Sequence, residues 1–183
     1  MSEILDVVND NDEIIGQAER DEVHREGLLC RLVYVCFYTS DKKVILQKRS
    51  ATKKNDPEKL TTTVSGHVGS GQNYLEAAIR ETLEETGIKV MADDLNNLGV
   101  IRADYVQGDY LSHAMRGFFA YKFDGDISDL KIEEGDGAGF VSFHIDELED
   151  RLQNTPDEFA AVLADEPGRT LVEGIRKLLR GDK

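Results

Sequence analysis

Three glutamates, Glu81, Glu84 and Glu85, follow a glycine-rich stretch that begins at Gly66 and ends before Asn73. At about 100° per helical residue, Glu84 lies roughly 60° to one side of Glu81 and Glu85 roughly 40° to the other. All three therefore share one narrow arc, close to a helix end marked by Gly87, a residue suited to the left-handed C′ position. Like charges four residues apart cost a helix about 0.2–0.5 kcal/mol per pair. Carboxylates in the last turn also oppose the negative end of the helix dipole. Local rules broken together without local benefit mark a site. Hard oxygen ligands in this number suit Mg²⁺ or Mn²⁺. The competing reading is a solvated acidic helix face, with Arg80 pairing to Glu76 and Glu84. On the same wheel Leu75, Ile79, Thr82, Leu83 and Thr86 are expected to face the core, with Ala77 and Ala78 one turn below the carboxylates.

The spacing decides between these readings. The segment resembles the Nudix box, G-x5-E-x7-R-E-U-x-E-E-x-G-U, where U is a bulky aliphatic residue. Gly66, Arg80, Glu81, Glu84, Glu85, Gly87 and Ile88 all fall in register. At average residue usage, the six fixed-type matches, Ile88 left aside, arise by chance with one miss allowed about once in 10⁶ windows. Two positions depart from the pattern: Gln72 replaces the first glutamate and Thr82 the first aliphatic residue. A neutral amide still offers an oxygen but brings no charge and cannot act as a base.

The resemblance implies attack of water on phosphorus in a diphosphate linkage, with Mg²⁺ or Mn²⁺ held by Glu81, Glu84, Glu85 and the Gly66 carbonyl. It implies that Arg80 orients the adjacent glutamate. The general base is then Glu81 or an acidic residue on a later loop, for which Glu133 and Glu134 are the candidates. Lys48, Arg49, His67 and Gln72 are placed on the substrate side; Arg102, Asp104 and Tyr105 are weaker pocket candidates. His144 reads as an exposed strand-end histidine.

Around the box, His24, the run from Leu46 to Ser50 and the run from Val64 to Val68 resemble the branch close to isopentenyl-diphosphate isomerases. That chemistry needs a cysteine where Ser65 stands and a second histidine ligand where Arg31 stands. A serine hydroxyl does not readily protonate an alkene, and a guanidinium cannot coordinate. With the three box glutamates intact, hydrolysis is favoured over isomerisation. A non-catalytic binding module of the same fold is the third reading, supported by Gln72 alone.

The elements that would position these residues follow from pattern. Residues 4–8 and 13–18 flank the turn cluster Asn9-Asp10-Asn11-Asp12 and read as a hairpin. Residues 28–38 read as a central strand and 43–48 as its partner, followed by a polar loop over 49–59. A strand over 60–64 leads into the glycine loop and a helix over 73–86. Strands over 98–106 and 112–123 pair across Gly108-Asp109, and a short strand over 140–143 precedes a helix over 145–153, capped by Asp146 or Ser142. The tail from 156 to 179 reads as helical with a break near Pro167-Gly168. Strand order is not derivable from periodicity. The resemblance implies an α/β/α sandwich with a mixed β-sheet, filling one domain over residues 1–183, with an N-terminal hairpin over about 1–20 and a helical tail over about 156–183.

The whole chain sets bounds. At 183 residues with 40% hydrophobic content it can bury one sizeable core. A formal net charge of −14 argues against nucleic-acid and anionic-membrane partners. The expected partner is a small diphosphate, and relatives of this kind commonly form homodimers. The acidic start Met1-Ser2-Glu3 is followed by no apolar leader or span. Cys30 and Cys36, the two cysteines, would stand about 20 Å apart on one strand, beyond disulfide reach. Buried free thiols in a cytoplasmic protein are the expectation.

Overall fold

A computed structural model describes residues 3–132, 135 and 137–181. The hairpin forms as expected, from β1 (Ile4–Val8) and β2 (Ile14–Glu19), and leads into α1 (Arg20–Glu26), a short helix that the sequence pattern does not reveal. Then follow β3 (Cys30–Tyr38), β4 (Lys43–Arg49), β5 (Leu60–Thr62), β6 (Val64–His67) and the box helix α2 (Tyr74–Thr86). The second half contributes β7 (Leu95–Gln107), β8 (Tyr110–Lys122), β9 (Gly137–His144), α3 (Ile145–Asn154), α4 (Ala161–Ala164) and α5 (Glu166–Arg180).

Seven of these strands form one mixed sheet in the order β5-β4-β3-β8-β7, with β6 also on β3 and β9 also on β4. The β3–β8 pairing is parallel and the others are antiparallel. One edge of β3 is shared: β4 pairs only with Phe37 and Tyr38, whereas β6 takes residues 32–35. The sheet therefore splits between β6 and the β4–β5 branch, and the split opens the cleft described below.

Alternation along β3 sends Val33, Val35 and Phe37 toward α2. Leu32, Tyr34 and Cys36 face the opposite way, into a core shared with α3, α4 and α5. This is the expected α/β/α sandwich. Cys30 and Cys36 are buried free thiols, and burial raises them to about 11 and about 12. No helix among the described residues is long and apolar enough to cross a membrane.

Three expectations are corrected. On α2 Thr82 and Thr86 are buried and Leu75 and Ile79 pack against the core as expected, but Leu83 is 50% exposed, and Glu81 and Glu85 are buried with Ala77 and Ala78. Small side chains, not large ones, let α2 approach β6 and β3 closely. The α3 cap is His144, whose ring accepts from the Asp146 N–H, in place of Asp146 or Ser142. The tail breaks at Asp165, and Pro167 sits in the first turn of α5, where its missing N–H costs no helical bond. Gly168 is demanded there, since a Cβ would fall 1.9 Å from the Leu163 carbonyl oxygen.

Candidate active site

The box helix is set at both ends by local chemistry. Asn73 accepts from the Glu76 N–H and Glu76 accepts from the Asn73 N–H, both at 2.9 Å, which closes a capping box. At the other end Gly87 takes φ 71° and its N–H reaches the Leu83 carbonyl. The glycine loop ahead of the helix is tied to the hairpin: buried Asp6 accepts from the Gly71 N–H at 3.0 Å and the Ser70 hydroxyl at 2.8 Å.

On this frame the three glutamates have different surroundings. Glu81 is 9% exposed and lies against Gly66. Burial raises its carboxyl to about 7, opposed by the Arg80 charge and reinforced by Glu84. Glu85 is 2% exposed, accepting from Gln47 Nε2 and from the Ser65 N–H, both at 3.2 Å. Glu84 is half exposed. Arg80 ties the group together: its NH1 reaches Glu81 and Glu84 at 2.8 Å each, and its NH2 donates to the His67 carbonyl at 2.9 Å. The expected pairing of Arg80 with Glu84 is present, while Glu76 is engaged in the capping box.

Gly66, Glu81, Glu84 and Glu85 line one wall of a cleft of about 400 Å³. Arg20, Arg49, Lys53 and Arg116 contribute positive charge to the same cleft, with Tyr34, Tyr105 and Tyr110 as aromatic walls. Arg49 is steadied by the Asn55 carbonyl at 3.1 and 2.9 Å. Lys48, one residue away on the strand, points to the opposite face and does not line the cleft. Gln72 also stands outside the lining: its amide oxygen accepts from the Gly69 N–H at 3.1 Å and from Arg80 at 3.4 Å, bracing the loop. Of the weaker candidates, Tyr105 lines the cleft, whereas Arg102 pairs with Asp10 and Asp104 at the surface. Glu133 and Glu134 lie outside the described residues.

His67 is buried and meets His24, Nε2 to Nε2, at 2.8 Å. The Leu111 carbonyl, 2.9 Å from His24 Nδ1, can only accept, so Nδ1 carries the His24 proton and Nε2 is an acceptor. His67 Nε2–H and the Tyr110 hydroxyl, at 3.0 Å, converge on that lone pair. Burial lowers both imidazoles, so the pair is held neutral. Arg31 does not join it. Its guanidinium is turned to Asp12, Nε to Oδ1 at 2.6 Å, over the ring of Tyr74.

Three carboxylates share one wall, and oxygen donors are the chemistry a hard divalent cation takes. Among the described residues, no three acidic, histidine or cysteine side chains are gathered around one point. Arg80 balances Glu81 and Glu84 instead. Sequence reasoning missed Gln47, Tyr110 and Arg116. Only Arg116 left a signal, as a charge at a core-facing position of the alternating strand Ser112, Ala114, Arg116, Phe118.

Comparisons with known proteins bear on the family and the fold. The chain is 28% identical over 158 residues to an uncharacterized Nudix hydrolase of Clostridium acetobutylicum, covering 85% of this chain and 76% of that one. It is also 28% identical over 159 residues to an isopentenyl-diphosphate Delta-isomerase of Serratia proteamaculans, covering 87% and 86%. A crystal structure from Deinococcus radiodurans superposes with a TM-score of 0.74 at 24% identity, over 92% of this chain and 99% of that one. The NUDIX domain model matches residues 29–163, and the chain belongs to the Nudix family.

Proposed function

We propose that this protein hydrolyses a diphosphate linkage in a nucleoside diphosphate derivative or a related organic diphosphate, with Mg²⁺ or Mn²⁺ as cofactor. The observation that carries the reading is the two-sided cleft, with Gly66, Glu81, Glu84 and Glu85 on one wall and Arg20, Arg49, Lys53 and Arg116 around it. Glu81, Glu84, Glu85 and the Gly66 carbonyl would hold the cation. When bound, the cation neutralises phosphate oxygens and makes attacking water more acidic.

The chain's own residues supply the rest. Glu81, buried against Gly66 in the cleft wall, would be the residue to accept the proton of the attacking water. The water oxygen bonds to phosphorus as the bridging P–O bond breaks. Arg80 holds Glu81 and Glu84 in register, and Arg49 is placed to meet a phosphate oxygen. The long-range field of a −14 chain repels anions, so these cleft cations would secure the substrate. The buried, unbridged Cys30 and Cys36 support a reducing compartment such as the cytoplasm.

The isomerase reading loses ground to geometry. Ser65 has no thiol to offer, and Arg31 is committed to Asp12. Phosphate-release assays with Mg²⁺ across nucleotides, sugar nucleotides and isopentenyl diphosphate test the proposal. Turnover of a nucleotide-type diphosphate is expected. Isomerisation without hydrolysis, or turnover untouched by Glu84→Gln and Glu85→Gln, would reject it.

A further inference from the structure

Arg116 is 1% exposed, yet its guanidinium meets only neutral oxygens. Nε donates to the Ala103 carbonyl at 3.0 Å, NH1 to the Tyr34 hydroxyl at 2.5 Å, and NH2 to the Ser112 carbonyl and hydroxyl at 2.9 Å each. Among the described residues no ion pair includes it. A buried cation without a counter-charge is costly. Beside it, the Tyr105 ring lies 4.6 Å from the guanidinium carbon, and the buried Tyr105 hydroxyl has no hydrogen-bond partner among the described residues. Both side chains line the cleft.

The sheet register separates this end of the cleft from the carboxylates. Leu32 is flanked by His67 on one side and Arg116 on the other, and its neighbour Val33 by Gly66 and Gly117. Paired residues share a face and successive residues alternate. Arg116 therefore stands on the face opposite the one where Glu81 covers Gly66. Two donors, one charged and one unmatched, line the cleft on the face that the α2 glutamates do not cover.

From this we infer that the end of the cleft floored by Arg116 and Tyr105 is an oxyanion subsite, receiving a second acidic group carried by the organic half of the substrate. The shared chemistry is a phosphate or a carboxylate, either of which can accept from the one NH1 hydrogen of Arg116 left over by these bonds and from a phenolic hydroxyl. This deepens the diphosphate reading, on which it rests for the substrate's other end. The competing account is structural: Arg116 as a spacer hydrogen-bonded to Tyr34, Ser112 and Ala103 and packed over the Tyr105 ring, indifferent to anions.

Calorimetric titration of the full chain in chelator, with inorganic phosphate in one arm and acetate in the other, separates the two. Without metal, the glutamate wall repels both probes. Saturable binding is expected in at least one arm, and the tighter arm names the group. Arg116→Gln should weaken it about tenfold to a hundredfold, the range for a hydrogen bond to a charged group. Tyr105→Phe should weaken it several-fold with unchanged melting temperature in the absence of anion, and Arg116→Lys should retain part of it. Should Arg116→Gln fail to fold, the Tyr105→Phe and Arg116→Lys results decide. No binding in either arm overturns the inference, as does equal binding by Tyr105→Phe and Arg116→Gln. So does a loss that follows Arg49→Gln in place of Arg116→Gln. Absence of diphosphate hydrolysis would reject the proposed reaction while leaving this titration intact.

Discussion

The Glu81 carboxylate lies across the Cα of Gly66, so that a Cβ on residue 66 would stand 2.0 Å from Glu81 Cδ and 2.1 Å from its Oε1. The glycine is thus required by contact as well as by any role of its carbonyl. Gly66→Ala should displace Glu81 and cost about 1–3 kcal/mol of stability, the usual range for overpacking. A displacement near 1 Å should lower turnover about a hundredfold. Urea unfolding and diphosphate hydrolysis measure the two effects; an alanine variant with native turnover would show that the position of Glu81 is immaterial.

Glu81 also imposes a pH dependence on stability. Its carboxyl is raised by burial from 4.5 to about 7, so the folded state holds the proton more tightly than the unfolded chain. That contribution is fully present below about pH 4.5 and is lost as pH rises toward 7, amounting to about 3 kcal/mol at most. His24 and His67, lowered by burial, act in the opposite sense: their contribution is present above about pH 6.5 and fades as pH falls. Melting of metal-free protein across pH 5 to 8 should therefore show Glu81→Gln gaining on the wild type as pH rises. A constant difference between the two across that range would contradict the burial of Glu81.

Glu84 isolates function from fold. Its side chain is 51% exposed and its ion pair with Arg80 is open to solvent. Glu84→Gln should change stability by no more than about 1 kcal/mol, while turnover falls at least about tenfold, as for changes around a metal ligand. Comparable losses in melting temperature and turnover would instead mark Glu84 as structural.

Gln72 can be restored to the glutamate of the box pattern. Its amide oxygen already accepts from the Gly69 N–H and from Arg80, and a carboxylate would accept both with charge assistance. Gln72→Glu should stabilise the loop by about 1 kcal/mol. By drawing Arg80 toward residue 72 it should also free Glu81 and Glu84 and tighten Mn²⁺ binding. Calorimetric titration with Mn²⁺ checks the second effect, and an unchanged or weaker affinity would confine residue 72 to bracing the loop.

How much was legible follows the range of each interaction. The helix carrying Glu81, Glu84 and Glu85, its Asn73 start and its Gly87 stop depend on neighbours within four residues, and the sequence determined them. The same holds for the hairpin and for the alternation that marks β3 and β8. The face of α2 that is buried was decided by the sheet: β6 comes close enough that alanines and glutamates pack there while Leu83 stays in solvent. His24 and His67 are 43 residues apart in the chain, and Arg116 is 82 residues from Tyr34. Their meeting required the β3–β6 and β3–β8 registers, which no local period encodes. By itself the sequence determined that three carboxylates share one helical arc. The tertiary structure decided which of them is buried, what Arg80 balances, and where the buried Arg116 meets the cleft. Burial and charge pairing are set by strands that pair across the fold, whereas helical phase is set within a single turn.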